Sequence, residues 1–256
     1  MGSRPDALER FSSRAENYAR YRPGYPRDVA ELLRRCCRLG PGVAAADVGA
    51  GTGLFTELLL DAGATVHALE PNAAMRAAAE ERLRGRAGLI FGPGRAEATG
   101  LDAASCDLVV AAQAFHWFDA AGARAEFARI LRPGGWVALL WNWRQTAGSP
   151  FAAEYEALLR AYSADYPRIA IEHWDEQRIT RFFLPQCCRQ ARFPNHQLLD
   201  AAGLRGRLLS ASYAPQAGAA GHDAMLAELD RIFARHQQHG LVRLEYETRV
   251  YYGQLS

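Results

Sequence analysis

The sequence predicts an α/β fold, a doubly wound and mostly parallel sheet covered by helices. Two observations carry this. Short apolar runs alternate with helical stretches from residue 43 to 143, and a glycine-rich turn joins the first such run to the first such helix. Strands buried on both faces read as near-continuous apolar runs, and parallel strands need crossover helices between them. Composition agrees. The 256 residues are 49% hydrophobic and 23% charged with a formal net charge of +2, which excludes disorder as the main state. No apolar run approaches the ~18 residues of a membrane-spanning helix.

Each element follows from its own signals. Ser13-Arg-Ala-Glu16 is a capping-box pattern, so a short helix starts there and ends before Arg22-Pro23-Gly24-Tyr25-Pro26. Arg27–Leu39 is amphipathic: Val29, Leu32, Leu33, Cys36 and Cys37 share one face, which assigns both cysteines to the core, and Gly40-Pro41-Gly42 ends it. Strands are expected at Val43–Val48, Ala64–Leu69, Gly88–Phe91, Asp107–Ala112 and Trp136–Trp141. The helices between them are Gly53–Ala62, Asn72–Arg84 and Ala120–Leu131, the last broken by Arg132-Pro133-Gly134-Gly135 before its strand. From Arg144 to His196 the rhythm fails. This stretch is rich in aromatic and charged residues, holds one clear helix at Pro150–Tyr162, and reads as a helical insertion or lid. A helix at Asp223–His236 and an alternating strand at Val242–Tyr252 follow.

Five cysteines include two adjacent pairs, Cys36-Cys37 and Cys187-Cys188, and form no CxxC. With a charged N-terminus and no secretory pattern, this points to a reducing, cytoplasmic setting. All 30 basic residues are Arg, so lysine Schiff-base chemistry and a Walker-type lysine are excluded. His236-x-x-His239 has helical metal-ligand spacing but nothing beside it completes a set, so no metal site is expected.

The segment Asp47-Val-Gly49-Ala-Gly51-Thr-Gly53 ends the first strand and opens a helix. Glycines there let the backbone turn tightly and approach a ligand, and the helix start presents free amides to it. Glu70 ends the second strand and is placed to bond two ribose hydroxyls. A dinucleotide fingerprint counted from Gly49 would need glycine where Leu54 stands, and no Tyr-x-x-x-Lys pair occurs, which disfavours a nicotinamide-dependent reductase.

The acidic-x-Gly-x-Gly-x-Gly pattern instead resembles the first motif of class I S-adenosylmethionine-dependent methyltransferases. Glu70-Pro71-Asn72 with Met75 resembles their second motif, and Gly94-Arg95-Ala96-Glu97-Ala98 their adenine-side motif, with Arg95 where many relatives carry Asp, Asn or Thr. Gln113-Ala114-Phe115-His116-Trp117-Phe118 is similar to the signature after strand four in the small-molecule branch, and Leu131–Gly135 to the turn before strand five. Phe11–Pro26 and Leu208–Gly253 resemble a subgroup related to trans-aconitate methyltransferases.

The resemblance implies a seven-stranded Rossmann-like sheet and a single domain over residues 1–256. Within it, 1–40 form an N-terminal helical lid, 43–143 the cofactor-binding core, 144–196 the insertion, and 197–256 the C-terminal helices and closing strand. It implies S-adenosyl-L-methionine as cofactor, S-adenosyl-L-homocysteine as product, and a cofactor site of Asp47, Gly49, Ala50, Gly51, Gly53, Glu70, Pro71, Met75, Ala96, Glu97 and Gln113. His116 lies just past strand four as either a general base or a strand-end cap. Tyr18, Arg22 and Tyr25 of the lid, with His116, Trp117, Trp141 and Trp143, are the acceptor-side candidates. Arg22 is available to a carboxylate, and Trp141 and Trp143 read equally as core aromatics at a sheet edge.

The expected acceptor is a small organic molecule, with a carboxylate oxygen favoured by the subgroup. The Asn/Asp-Pro-Pro-aromatic motif of nucleic-acid amino-methyltransferases is missing after strand four, no Pro-Cys pair occurs, and no long basic patch tracks phosphates. Neither a nucleic-acid nor a membrane partner is therefore expected, and the oligomeric state stays open. The same fold also supports an adenosylmethionine-binding protein that catalyses a non-methylating reaction such as cyclisation, or serves as a binding module.

Overall fold

The computed structural model describes residues 20–163, 166 and 175–255. Its elements are, in order, α1 (Arg27–Cys37), β1 (Ala44–Val48), α2 (Leu54–Asp61), β2 (Thr65–Leu69), α3 (Ala73–Arg82), β3 (Leu89–Gly92) and β4 (Cys106–Ala112). A 3-10 turn (Phe115–Trp117) leads into α4 (Ala120–Ile130) and β5 (Leu131–Arg144). Then come α5 (Pro150–Tyr162), α6 (Glu176–Phe183), β6 (Arg189–Leu199), α7 (Ala201–Leu209), α8 (His222–His236) and β7 (Val242–Gly253).

The seven strands form one sheet in the order β3-β2-β1-β4-β5-β7-β6. The five from β3 to β5 pair in parallel, whereas β7 pairs antiparallel with both β5 and β6. The sheet is thus mixed. Its central parallel strands are buried on both faces, as the apolar runs predict: β1 and β4 show almost no alternation of exposure. One face packs Val29, Leu33, Phe55 and Leu59 of α1 and α2, and the other packs Phe127 and Ile130 of α4 with Phe182 and Phe183 of α6. A third cluster joins α5, α7 and α8 to Val242, Leu244 and Tyr246 of β7. Cys37 is buried and Cys36 packs against the same cluster, as the amphipathic pattern of α1 requires.

Two expectations are corrected. Arg132–Gly135 does not separate a helix from its strand but lies inside β5, bulging out where the register jumps from Cys106↔Leu131 to Leu108↔Trp136. The insertion does not run to His196, because β6 begins at Arg189. That strand escapes a periodicity reading because it is a polar edge strand, exposed along most of its length. It carries Pro194, a residue that edge strands tolerate since one side needs no donor. Helix α7 is a further element that periodicity does not announce, since Gly203 and Gly206 interrupt its apolar face. Asp200 caps it by accepting from the Gly203 amide at 2.7 Å. The helix expected at Ser13 falls outside the described residues.

Where the winding changes direction, between β1 and β4, the carboxyl ends of the strands open a crevice, the usual ligand position in such sheets. Among the described residues no helix is long and apolar enough to cross a membrane.

Candidate active site

An open cleft fills that crevice, walled by the loops that follow β1, β2, β3 and β4. Its floor is the turn 49–53. The Gly49 and Ala50 amides both donate to the Leu69 carbonyl, at 2.8 and 3.0 Å, which fastens the turn to the end of β2. Gly49, Gly51 and Gly53 all have positive φ (72°, 57° and 80°), yet their surroundings differ. A Cβ on Gly49 would lie 2.6 Å from the Ala114 methyl, and one on Gly53 would lie 2.8 Å from Leu83. A Cβ on Gly51 would meet nothing within 4 Å. Two of the glycines are therefore required by packing, and the third faces the open cleft.

Asp47, at the end of β1, is fully buried. Its Oδ2 accepts from the Thr56 hydroxyl at 2.6 Å, while Oδ1 is buried without a partner. Burial pushes the carboxyl up to about 7, the Thr56 hydrogen bond opposes this, and the nearby Glu70 adds to it. The Thr52 hydroxyl is likewise buried without a partner. Both residues line the cleft. Such orphaned atoms are costly, and a ligand donor is the simplest resolution.

Glu70 stands opposite. Its Oε2 accepts from the Gly51 amide at 2.9 Å and its Oε1 from the Asn72 amide at 2.8 Å. Burial raises its pKa, and those two amides hold it down. Each oxygen keeps a second lone pair for a hydroxyl. Pro71 and Met75 continue this wall, and Asn72 caps α3 by accepting from the Met75 amide. Across the cleft, the Arg95–Ala98 turn is closed by paired backbone bonds of 3.0 and 3.1 Å. Ala96 is buried there, and Glu97 is tied to α4 by accepting from the Asp119 amide. Gln113 adopts φ 58°, a left-handed conformation unusual for this residue type. It is held there by its amide on the Leu140 carbonyl and its side chain on the Asn142 carbonyl.

The strap 20–26 crosses the far side of the cleft, fixed by residues distant in sequence. Asn142 Nδ2 and Asn195 Nδ2 both donate to the Gly24 carbonyl, at 3.0 and 2.9 Å, and Gln197 donates to Tyr21 O. Asn142 Oδ1 in turn accepts from Thr248 and Asn195. The strap brings Tyr25 into the cleft wall, its ring edge-on to Phe55 at 4.9 Å.

Of the expected cofactor residues, all line the cleft except Gly53, which packs behind it. The acceptor-side set is divided. Tyr25 and Trp117 line the cleft. His116 does not, although Ala114, Trp117 and Phe118 on either side do; its ring lies 4.9 Å from that of Trp117. Trp141 is only 4% exposed and sits in the core between Phe115 and Tyr251, because its position on β5 faces α4 and α6. Trp143, two residues on, lies under the Arg249 guanidinium instead of on the cleft wall. Arg22 donates to the Ser210 carbonyl at 2.9 Å, which ties the strap to the end of α7. Tyr18 falls outside the described residues. Thr52 and Phe55 are cleft residues that the motif does not single out, although Thr52 stands inside the glycine turn itself. His236 approaches Glu154 Oε1 at 3.2 Å, and among the described residues no group is placed to hold a metal.

Residues 46–139 match the methyltransferase domain family. An uncharacterized methyltransferase of Mycobacterium bovis is 40% identical over 144 residues, 56% of this chain and 56% of that one. The chain thus aligns with little more than half the length of that curated relative. An uncharacterized methyltransferase-like protein of Schizosaccharomyces pombe is 26% identical over 248 residues, 95% of this chain and 94% of the other. Among solved structures, a candidate type II methyltransferase from Anaeromyxobacter dehalogenans superposes with a TM-score of 0.62 at 23% identity, covering 92% of this chain and 98% of that one. At that identity the likeness speaks to the fold.

Proposed function

We infer that this chain, which carries a methyltransferase domain over residues 46–139, transfers a methyl group from S-adenosylmethionine to a small organic acceptor. The observation that carries the reading is the floor of the cleft. Two buried acceptor atoms, Asp47 Oδ1 and Thr52 Oγ1, lack partners beside a glycine whose Cβ position is empty. These residues fit the methionine end of the ligand, where an ammonium would satisfy Asp47. Glu70 fits the ribose, with one free lone pair on each oxygen, and Ala96 and Glu97 fit the adenine side. When bound, adenosylmethionine supplies a methyl carbon made electrophilic by a sulfonium.

The protein's part is placement and exclusion of water. Gln113, clamped in its strained conformation, fixes the end of β4 beside the reacting region. Tyr25 on the strap and Trp117 on the 3-10 turn close over the acceptor. A carboxylate oxygen is already deprotonated and needs no base, whereas a hydroxyl or ammonium acceptor must lose a proton, and we assign that proton to His116, which lies against the cleft residue Trp117 although its own side chain does not line the cleft. The partner is then a small molecule, in a cytoplasmic setting.

The test incubates the protein with methyl-labelled S-adenosylmethionine and panels of small carboxylic acids, phenols and amines. Release of S-adenosylhomocysteine with label in one acceptor is expected. Tight binding of the cofactor with no S-adenosylhomocysteine release from any panel would favour the non-methylating reading instead.

A further inference from the structure

We propose that Arg144 and Arg207, within a cage formed by Tyr155, Tyr166 and Tyr246, make an anion site that anchors a carboxylate of the acceptor, away from the atom that receives the methyl group. This rests on reading the cleft as the adenosylmethionine site.

Arg144 is the last residue of β5, and its side chain is 9% exposed. Its Nη2 donates to Glu156 Oε2 at 2.5 Å and to the Tyr166 hydroxyl at 2.7 Å, and its guanidinium lies over the Tyr155 ring at 5.1 Å. Its Nη1 is buried with no partner among the described residues. Arg207, on α7, is 6% exposed. Its Nε donates to the Tyr246 hydroxyl at 3.0 Å, and no carboxylate pairs with it among the described residues. Both guanidiniums are charge neighbours of Tyr155 and Tyr213.

The acid that Arg144 meets is already shared. Glu156 Oε2 accepts from Arg144 and from Tyr166, and its Oε1 pairs with the surface Arg160 at 2.8 Å. Among the described residues, then, Arg144 shares one divided carboxylate and Arg207 meets none. Buried cations short of counter-charge are expensive, and planar guanidiniums match carboxylates in fork geometry.

The position ties this charge to the cleft. Asn142 precedes Arg144 by two residues on the same face of β5, and its carbonyl is gripped by Gln113 of the cleft wall. Two strand residues span about 7 Å. The strap bridges the same gap: Tyr25 lines the cleft, while the Tyr21 ring packs against Gly206, next to Arg207, so closely that a Cβ there would lie 2.1 Å from it. A carboxylate held by two guanidiniums has its lone pairs engaged and is a poor nucleophile. The methylated atom therefore belongs to the other end of the acceptor, several bonds away.

The test titrates the protein calorimetrically, with S-adenosylhomocysteine present, using acetate, adipate and inorganic phosphate as probes. Saturable adipate binding is expected, at least tenfold weaker in Arg207→Lys and Arg144→Lys, which keep the charge and lose the fork. It is expected unchanged in Arg231→Gln, on the exposed side of α8. Where a lysine variant fails to fold, the guanidinium resonances of nitrogen-15-labelled wild type take its place, and adipate should perturb two of them. S-adenosylhomocysteine binding without adipate binding would overturn this site and leave the proposed function standing, as would adipate binding equally in all variants, or phosphate binding alone. Failure of S-adenosylhomocysteine binding would remove the function reading itself, a separate result.

Discussion

The glycines of the turn separate a packing role from a ligand role, and substitution by alanine tests the separation. Any alanine at these positions enters the left-handed region, which costs roughly 1–2 kcal/mol for an L-residue. At Gly51 that is the whole cost, because a Cβ meets nothing within 4 Å. At Gly49 the Cβ would stand 2.6 Å from the Ala114 methyl, between two strand ends that cannot easily part. Overpacking of this kind adds about 1–3 kcal/mol, bringing Gly49→Ala to roughly 2–5 kcal/mol. For a chain of this size, each kcal/mol moves the melting temperature by about 2–4 °C. Gly49→Ala should therefore melt ~4–20 °C below wild type and Gly51→Ala ~2–8 °C below, measured by circular dichroism without ligand. The order reverses in specificity: Gly51→Ala places its methyl in the cleft and should lose tenfold or more in S-adenosylhomocysteine affinity. A Gly49→Ala protein as stable as wild type, or a Gly51→Ala protein with unchanged affinity, would refute the reasoning.

Three further outcomes are expected. Folding raises the Asp47 pKa from 3.8 to about 7, so between those values the native state holds a proton that the unfolded chain has released. The unliganded protein therefore loses stability as pH rises through that window, by about 1.4 kcal/mol for each pH unit. Asp47→Asn should remove that loss, so its stability relative to wild type rises from about pH 4 to pH 7 and then levels off; a pH-independent difference would contradict the assignment. Asn142→Ala strips partners from Gly24, Asn195 and Thr248 and should cost roughly 1–3 kcal/mol in urea unfolding. It should also weaken S-adenosylhomocysteine binding through the loosened strap, and unaltered affinity would show that the strap does not roof the cleft. His116→Ala should lower turnover on a hydroxyl or amine acceptor far more than cofactor affinity, while leaving turnover on a carboxylate acceptor nearly unchanged. Equal losses on both acceptor types would assign His116 a structural role.

What the sequence makes legible follows from physical scale. The parallel core is readable because strands buried on both faces advertise themselves as apolar runs, and the turn 49–53 because its glycines serve needs that no other residue meets. Asp47 and Glu70 emerge through the motif, although their partners do not. Periodicity reads one element against one buried face, so it misses β6, an edge strand, and it cannot say that position 141 turns inward to the core while residues 21–25 cross the strand ends. The strap depends on contacts between residues over a hundred positions apart, such as Asn142 and Gly24. Arg144 and Arg207 are invisible for another reason. Where all 30 basic residues are arginine, nothing local marks Arg144 and Arg207 as buried.

The central claim is that the cleft is built for S-adenosylmethionine and not for a dinucleotide. Calorimetric titration of the purified chain with S-adenosylhomocysteine and, separately, with NADH and NADPH tests it most directly. Micromolar binding of the first, lost in Gly51→Ala, with no heat from the other two, is the predicted result. Binding of a nicotinamide dinucleotide in place of S-adenosylhomocysteine would contradict the account.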